Sequence, residues 1–371
     1  MARIHRRCTR LEELEMDNCS SSPEVLRGVY EFVPSFEHMR RLDYVQTAWD
    51  TTMFHLLAEL PGLEDLRFEV RGRSGADMPT IGPQPQQHNG RWFRSLQTLS
   101  VQVSKLSFIQ LLLSMVKSAP LEKLSLFIFF RLASGNRLPN EYLALQSLRV
   151  MKLSMRLDIA STLLAHMNLP RLEEVSVKCR VRPDLLSDLI GTVCTSCSPS
   201  WLKLVLLGRG SIREARGSPI LIDSVLRPLL AFRRIEDLRL ISSHTLEISD
   251  KTVEDFGLSW PGLKEISLGM GSRRSASSVI LKGIASLALH CPRLELIALP
   301  VNVTPVPTIE ELEYKDTPLN SNVRELGFGS PSIPAECVGE VASVLRQIFP
   351  ALQIIRSSEG PTGVHQSNIQ V

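Results

Sequence analysis

Cys194-Thr-Ser-Cys197 is the grouping in this chain that comes nearest to a metal ligand set, with Cys179 and His166 upstream as remote further donors. A structural zinc site needs four soft or imidazole ligands, usually as two close pairs, and no second pair stands at ordinary spacing. The expectation is therefore two small residues ending a helix, with no metal and no cofactor. Gly208-Arg-Gly210, followed by Arg213 and Arg216, has the glycine content of a phosphate-binding loop. It lacks the lysine and hydroxyl residue of a P-loop and the spacing of a dinucleotide fingerprint, so a plain surface loop is expected. Arg273 and Arg274 add basic charge in another loop, but no interleaved aromatic residues are present to stack on bases.

No serine, cysteine or histidine stands in the setting of an activated nucleophile. His38, His55 and His166 lie in or beside helical patterns, and His290 precedes Cys291-Pro at a helix end. Packing or capping is the expected role of each. An enzymatic function has no support in residue spacing.

The elements that position these side chains follow from a recurring phrase: an apolar residue, two variable positions, an apolar residue, one variable position, an apolar residue. It reads Leu11-Glu-Glu-Leu14-Glu-Met16, Leu63-Glu-Asp-Leu66-Arg-Phe68, Leu96-Gln-Thr-Leu99-Ser-Val101 and Leu121-Glu-Lys-Leu124-Ser-Leu126, and Met39 opens another copy. Later copies begin at Leu148, Leu172, Leu202, Ile235, Leu263, Leu294, Val323 and Leu352. The spacing of roughly 24 to 33 residues overlaps the leucine-rich-repeat range. Between phrases, apolar residues recur three and four apart, as in Phe108-Ile-Gln-Leu-Leu-Leu-Ser-Met-Val116, which predicts helices alternating with strands. Further helices are predicted over 23–32, 51–60, 159–167, 184–194, 222–232, 277–288 and 335–348. Proline precedes many of the phrases, as in Leu60-Pro-Gly-Leu63, Trp260-Pro-Gly-Leu263 and Phe349-Pro-Ala-Leu352, and ends each helix at a fixed point.

The predicted architecture is α/β: a leucine-rich-repeat solenoid, or horseshoe, of roughly 13 irregular repeats, with a parallel concave sheet and helices on the convex side. One domain is expected over 1–358, with a mobile loop insertion at 71–91, shorter loops at 208–219 and 269–277, and a disordered tail at 359–371. The apolar share of 43% supports a continuous core, and the low aromatic share of 6% fits one tiled by aliphatic residues. Forty-two basic against 39 acidic residues give +3, which is not the one-signed balance of a dedicated nucleic-acid binder. Seven scattered cysteines do not form a disulfide framework, and no leader or membrane-length apolar run is present. A cytoplasmic or nuclear monomer is expected, with no membrane and no nucleic acid among its partners.

In such a repeat the apolar positions of the phrase point into the core and the intervening ones face the concave surface. This projection makes Glu13, Glu15, Asp17, Asp43, Asp65, Arg67, Glu69, Lys123, Phe127, Lys152, Lys178, Asp237, Arg239 and Glu265 the candidate partner-binding residues. The acidic side chains of the first repeats favour a basic ligand.

The stretches Thr252-Val-Glu-Asp-Phe-Gly-Leu-Ser-Trp-Pro-Gly-Leu-Lys-Glu-Ile-Ser-Leu268 and Leu281-Lys-Gly-Ile-Ala-Ser-Leu-Ala-Leu-His-Cys-Pro-Arg-Leu-Glu-Leu-Ile-Ala-Leu299 resemble the irregular leucine-rich repeats of fungal F-box proteins. So does Val341-Ala-Ser-Val-Leu-Arg-Gln-Ile-Phe-Pro-Ala-Leu352. The resemblance implies the substrate-recognition part of an F-box subunit of a cullin-RING ubiquitin ligase, with a protein substrate held on the concave face. The F-box itself has no counterpart here, since the first phrase begins at Leu11. Binding of the ligase adaptor is thus expected only if an F-box exists outside this chain, and a fragment or a paralogue without the module is the expectation. The alternative is a free-standing leucine-rich-repeat adaptor or inhibitor unrelated to ubiquitin.

Overall fold

A computed structural model describes residues 11–19, 36–46, 51–70, 92–103, 106–128, 142–179, 181–208, 221–242, 246–269, 278–304, 306–308, 311–312, 322–328, 337–357 and 367–370. The predicted helix at 23–32, the loop at 71–91 and most of the loops at 208–219 and 269–277 fall outside them. The architecture is α/β on parallel sheet, and the chain divides into two compact units, Met1–Met155 with Thr162–Leu172, and Arg156–Ser161 with Glu173–Val371.

The N-terminal unit contains β1 (Glu13–Cys19), β2 (Arg41–Gln46), α1 (Thr51–Glu59), β3 (Asp65–Val70), β4 (Thr98–Val103), α2 (Leu106–Val116), β5 (Lys123–Ile128), the short β6 (Leu143–Ala144) and β7 (Val150–Ser154). Helix α3 (Leu157–Ala165) is divided between the units, and β8 (Met167–Asn168) pairs with β6. Strands β1, β2, β3, β4, β5 and β7 pair in parallel, in that order. Along them Leu42 and Tyr44, Leu66 and Phe68, Leu99 and Val101, Leu124 and Leu126, and Met151 and Leu153 are buried. The helices cover this face: Phe54 of α1 meets Phe68 at 5.9 Å and Phe108 of α2 at 5.5 Å, between ring centroids. Phe93 completes the cluster at 5.2 Å from Phe54. Four aromatic rings thus form one nucleus that joins two helices to the sheet.

The C-terminal unit contains β9 (Glu174–Lys178), α4 (Pro183–Ser196), β10 (Leu204–Gly208), β11 (Leu221–Ile222), β12 (Asp237–Ile241), β13 (Leu246–Glu247), α5 (Asp250–Ser259), β14 (Glu265–Leu268), α6 (Leu281–His290), β15 (Leu296–Ala298), β16 (Glu325–Gly327), α7 (Val338–Ile348), β17 (Ile354–Ser357) and β18 (Ser367–Gln370). Strands β9, β10, β12, β14, β15, β16 and β17 pair in parallel in that order, and β18 adds to β17 antiparallel. The sequence places an unstructured tail at 359–371; within it, Ser367–Gln370 is this last strand.

The predicted helix at 222–232 is instead two 3-10 turns, Asp223–Val225 and Arg227–Ala231. Pro228 lies inside that stretch, where its missing N–H and its ring stop a continuous α-helix. Helix α5 has no long apolar stripe: Val253 and Phe256 carry the buried face, with Thr252 and Gly257. Its start is set by Ser249, whose hydroxyl accepts the Thr252 N–H at 3.3 Å.

Two backbone devices recur along the phrases. In the first, the opening apolar residue donates its N–H three residues back: Leu172 to Leu169 at 3.3 Å, Leu263 to Trp260 at 2.9 Å, Leu294 to Cys291 at 3.1 Å and Leu352 to Phe349 at 3.1 Å. Pro170, Pro261, Pro292 and Pro350 each stand second in such a turn, the position that their fixed φ favours. In the second, one carbonyl just ahead of a strand accepts two successive N–H groups of the next phrase. The Glu64 carbonyl takes Gln97 at 2.8 Å and Thr98 at 2.9 Å, and the Lys203 carbonyl takes Glu236 at 2.7 Å and Asp237 at 3.0 Å. These forks fix the register, so outward side chains of successive strands stand in rows.

Candidate functional site

Three rows cross the outer face of the N-terminal sheet. The first aligns Glu13, Arg41, Asp65, Thr98, Lys123 and Val150. The second aligns Glu15, Asp43, Arg67, Ser100, Ser125 and Lys152, and the third Val45, Glu69, Gln102, Phe127 and Ser154. Opposite charges meet directly across β2 and β3: Arg41 lies 3.8 Å from Asp65, and Arg67 3.4 Å from Asp43. Glu69 is buried to 9% exposure and accepts the Gln102 amide at 3.0 Å. Three of the acidic candidates are therefore engaged within the sheet, which lowers the negative potential that a count of carboxylates suggests. Asp65 is pushed above its ordinary pKa chiefly by burial, with Arg41 opposing that shift. Asp17 falls in the register irregularity between Met16 and Cys19, and its side chain lies outside the described residues. Glu13, Glu15, Lys123 and Lys152 are exposed and Phe127 is half-buried.

The outer face of the C-terminal sheet differs in character. Its first row is Glu174, Leu204, Asp237, Glu265, Leu296, Glu325 and Ile354; its second is Ser176, Leu206, Arg239, Ser267, Ala298, Gly327 and Arg356. Asp237 and Glu265 are direct cross-strand neighbours of like charge. Burial pushes both carboxyls up, against the pull of Arg239; the Asp237 charge raises Glu265 further, and Glu236 and Glu295 raise Asp237. Arg239 pairs with Glu265, and Arg356 sits 2.8 Å from Glu325. Leu204, Leu206 and Leu296 are apolar at outward positions and only half-buried, and Ile241 ends β12 at 38% exposure. Lys178 is exposed at the end of β9. The C-terminal unit thus sets aliphatic side chains beside carboxylates whose charge the fold accommodates poorly. Projection from the phrase assigns Asp237, Arg239 and Glu265 to this face. It passes over Leu204 and Leu206, because leucine at a variable position is indistinguishable by type from leucine at a core position.

No protein-family model and no curated protein matches this chain. The remaining candidates are decided by local chemistry. Cys194 lies near the end of α4, and Cys197 is its C-cap, donating its N–H to the Val193 carbonyl at 3.0 Å. Burial pushes the Cys197 thiol up to about 12 and the Cys194 thiol to about 11, so both are protonated at neutral pH. Among the described residues no group of three or more His, Cys, Asp or Glu is placed to hold a metal ion, and no helix is long and apolar enough to cross a membrane. Gly208, at φ +100°, is needed for packing: a Cβ there would collide with the carbonyl oxygen of Ile241 on the neighbouring strand. His166 Nδ1, just past the end of α3, lies 2.8 Å from the Thr162 carbonyl, and the His55 ring packs at a tilt against Trp92 with centroids 5.3 Å apart. Both are packing or capping contacts.

A further row precedes the strands, at the first variable position of the phrase. In the N-terminal unit it reads Glu12, Arg40, Glu64, Gln97, Glu122 and Arg149; in the C-terminal unit Glu173, Lys203, Glu236, Lys264, Glu295 and Arg324. The sign alternates from repeat to repeat in the C-terminal unit, and in the N-terminal unit apart from the neutral Gln97 between Glu64 and Glu122. Lys203 meets Glu173 at 3.0 Å and Lys264 meets Glu236 at 2.6 Å. Each such partly exposed pair stabilises by about 0.2–1 kcal/mol. The alternation also leaves this row nearly neutral, so partner selection falls to the rows beside it.

Proposed function

We propose that this chain is a leucine-rich-repeat scaffold of horseshoe type, whose function is to hold a protein partner on the concave sheet face without catalysing a reaction. The observation that carries this reading is the outer face of the C-terminal sheet. Leu204, Leu206, Ile241 and Leu296 offer aliphatic surface beside Asp237 and Glu265. Polar strand positions would suffice for solubility alone, whereas apolar side chains beside strained carboxylates suit a partner that brings an aliphatic or aromatic anchor next to a lysine or arginine. The resemblance to fungal F-box proteins adds the proposal that the partner is a substrate delivered to a cullin-RING ubiquitin ligase, through an F-box outside this chain.

Affinity capture from cells with matched variants tests both parts. Leu206→Asp and the pair Asp237→Asn with Glu265→Gln should lose the proteins recovered by the parent chain. Leu258→Asp on α5, at a side chain 55% exposed, should retain them. Equal recovery by all variants would sink the sheet-face reading. Recovery of partners that never include a ligase component, from the longest natural transcript, would leave the free-standing adaptor as the function.

A further inference from the structure

The turns that lead into β10, β12, β14, β15 and β16 stand side by side, because the carbonyl forks hold the strands behind them in register. Their side chains reach back one repeat: the Asn322 amide donates to the Pro292 carbonyl at 3.0 Å, and Arg234 Nη1 donates to the Ser200 carbonyl at 3.4 Å. Arg234 also lies over the Trp201 ring, 5.9 Å from its centroid. Two contacts thus hold one guanidinium in place, while Trp201 is 41% exposed. Arg233 and Arg293 are exposed in the same row. Among the described residues none of these three arginines is in an ion pair, and the row, residues 198–201, 232–234, 260–262, 291–293 and 322, contains no carboxylate. Gly262 stands between Arg234 and Arg293, since β14 lies between β12 and β15. Its φ is not positive and nothing lies within 4 Å of a Cβ built on it, so neither backbone conformation nor packing calls for glycine. The missing side chain leaves a notch between two arginines whose backbones are about 10 Å apart, two strand spacings. Glu236 is held below its ordinary range first by its hydrogen bond from Lys264, and the Arg293 charge, two strands away, adds to that.

We propose that this row of turns is a second docking surface, which takes an acidic segment of a protein partner, with a carboxylate seated at Gly262 between Arg234 and Arg293 and an apolar side chain against Trp201. Charge complementarity selects the occupant. Arginines with no carboxylate among them attract an anion, and the planar guanidinium fork meets a carboxylate through two hydrogen bonds. An exposed tryptophan with an arginine fixed on its ring is the kind of centre around which binding energy concentrates. One aromatic ring in the row does not supply the successive stacking platforms that a nucleic-acid strand uses. The sheet face of the same unit suits the opposite sign, a cation beside an apolar group, so the two surfaces select segments of opposite charge.

Fluorescence anisotropy on the full chain tests this, with a short labelled peptide of glutamate and aspartate around one phenylalanine as the probe. The peptide should bind saturably, and Arg234→Glu with Arg293→Glu should weaken it by about tenfold or more. Arg227→Glu with Arg346→Glu makes the same charge change at exposed arginines outside the row, and should weaken it by less than about threefold. Gly262→Leu fills the notch without changing charge, and Trp201→Ala removes the ring; each should weaken binding by about threefold or more while far-ultraviolet circular dichroism is unchanged. Leu206→Asp on the sheet face should behave like the control pair. A peptide that does not saturate, or that both arginine pairs weaken alike, overturns the inference, because only the general charge of the chain would then be at work. A loss in Leu206→Asp as large as in Arg234→Glu with Arg293→Glu overturns it too, by placing the peptide on the sheet. Tighter binding of a labelled oligouridine than of the peptide, lost with the same two arginines, overturns the choice of partner.

Discussion

Gly283→Ala should destabilise the C-terminal unit, although glycine-to-alanine changes inside helices ordinarily stabilise. Gly283 lies in the first turn of α6, whose N-cap residue, Ile280, supplies no capping side chain. Asp250, the first residue of α5, fills that role from the preceding repeat: its Oδ1 accepts the Ile280 N–H at 2.9 Å. The Gly283 N–H donates to the Ile280 carbonyl at 3.1 Å and also acts on this carboxyl, lowering its pKa against the effect of burial. A Cβ on Gly283 would collide with Asp250 Oδ1, so the carboxylate must leave the helix start or the helices must part. Helix propensity favours alanine by about 1 kcal/mol. Loss of hydrogen bonds to a charged acceptor costs about 1.5–3 kcal/mol each, and loss of a cap about 0.5–2 kcal/mol. The net expectation is a loss of about 1–3 kcal/mol, read as a lower urea midpoint at constant slope.

Gly191→Ala is the internal control. Gly191 lies within α4, and nothing approaches within 4 Å of a Cβ built on it. Propensity acts alone there, and the change should stabilise by up to about 1 kcal/mol. A Gly283→Ala variant as stable as Gly191→Ala would refute the inter-repeat cap. Asp250 adds a pH signature. Burial raises its carboxyl above the ordinary value, so the folded state binds the proton more tightly than the unfolded state. This group's contribution is then most favourable at low pH and falls as pH rises from the unfolded value through the raised folded one. Asp250→Asn should remove that slope.

Phe54→Ala, at the centre of the aromatic cluster and fully buried, should cost about 3–5 kcal/mol and lower the unfolding midpoint of the N-terminal unit. His55 is held below its ordinary pKa by burial, against the pull of Glu59; its contribution is present at neutral pH and lost as pH falls through 6.5 toward the lowered value, a slope that His55→Phe should abolish. The buried thiols of Cys179, Cys197 and Cys291, each pushed up to about 12, should resist a thiol-alkylating reagent at neutral pH until denaturant unfolds the chain. Asp237→Asn should raise the urea midpoint while weakening capture of a basic partner, because a neutral side chain removes repulsion from Glu265 and the charge the partner needs. Asp237→Asn that lowers stability would show that the carboxylate is satisfied within the fold.

The phrase made the strands legible because their apolar positions have period two and recur beside a proline-marked turn. Leu63 to Phe68 and Leu263 to Leu268 predict both the strand and its buried face. The helices were legible where an apolar stripe is long, as in Phe108 to Val116, and obscure where two residues suffice: Val253 and Phe256 anchor α5 with an internal glycine beside them. The 222–232 stretch has helical periodicity, but Pro228 breaks it into 3-10 turns, a local veto that a hydrophobic pattern does not register. At the candidate site, charged outward residues were legible by projection. The pairing of Arg41 with Asp65 and of Arg67 with Asp43 was not, because it depends on which residues the register sets opposite each other.

Register also explains how a repeat protein can carry many charges and still present a selective surface. The carbonyl forks hold the first variable position of each phrase beside its counterparts in the neighbouring repeats, so any charge there meets a neighbour one strand away. Like charges in that row would repel along its whole length, and the alternation of Glu173, Lys203, Glu236, Lys264, Glu295 and Arg324 turns that repulsion into attraction. Asp237 and Glu265, one residue further along, break the rule: they are adjacent, alike in sign and raised in pKa. Arg239 and Lys264 offset part of that charge, and the rest gathers beside Leu204, Leu206 and Leu296, a pairing that suits the proposed partner, a cation on an apolar stem.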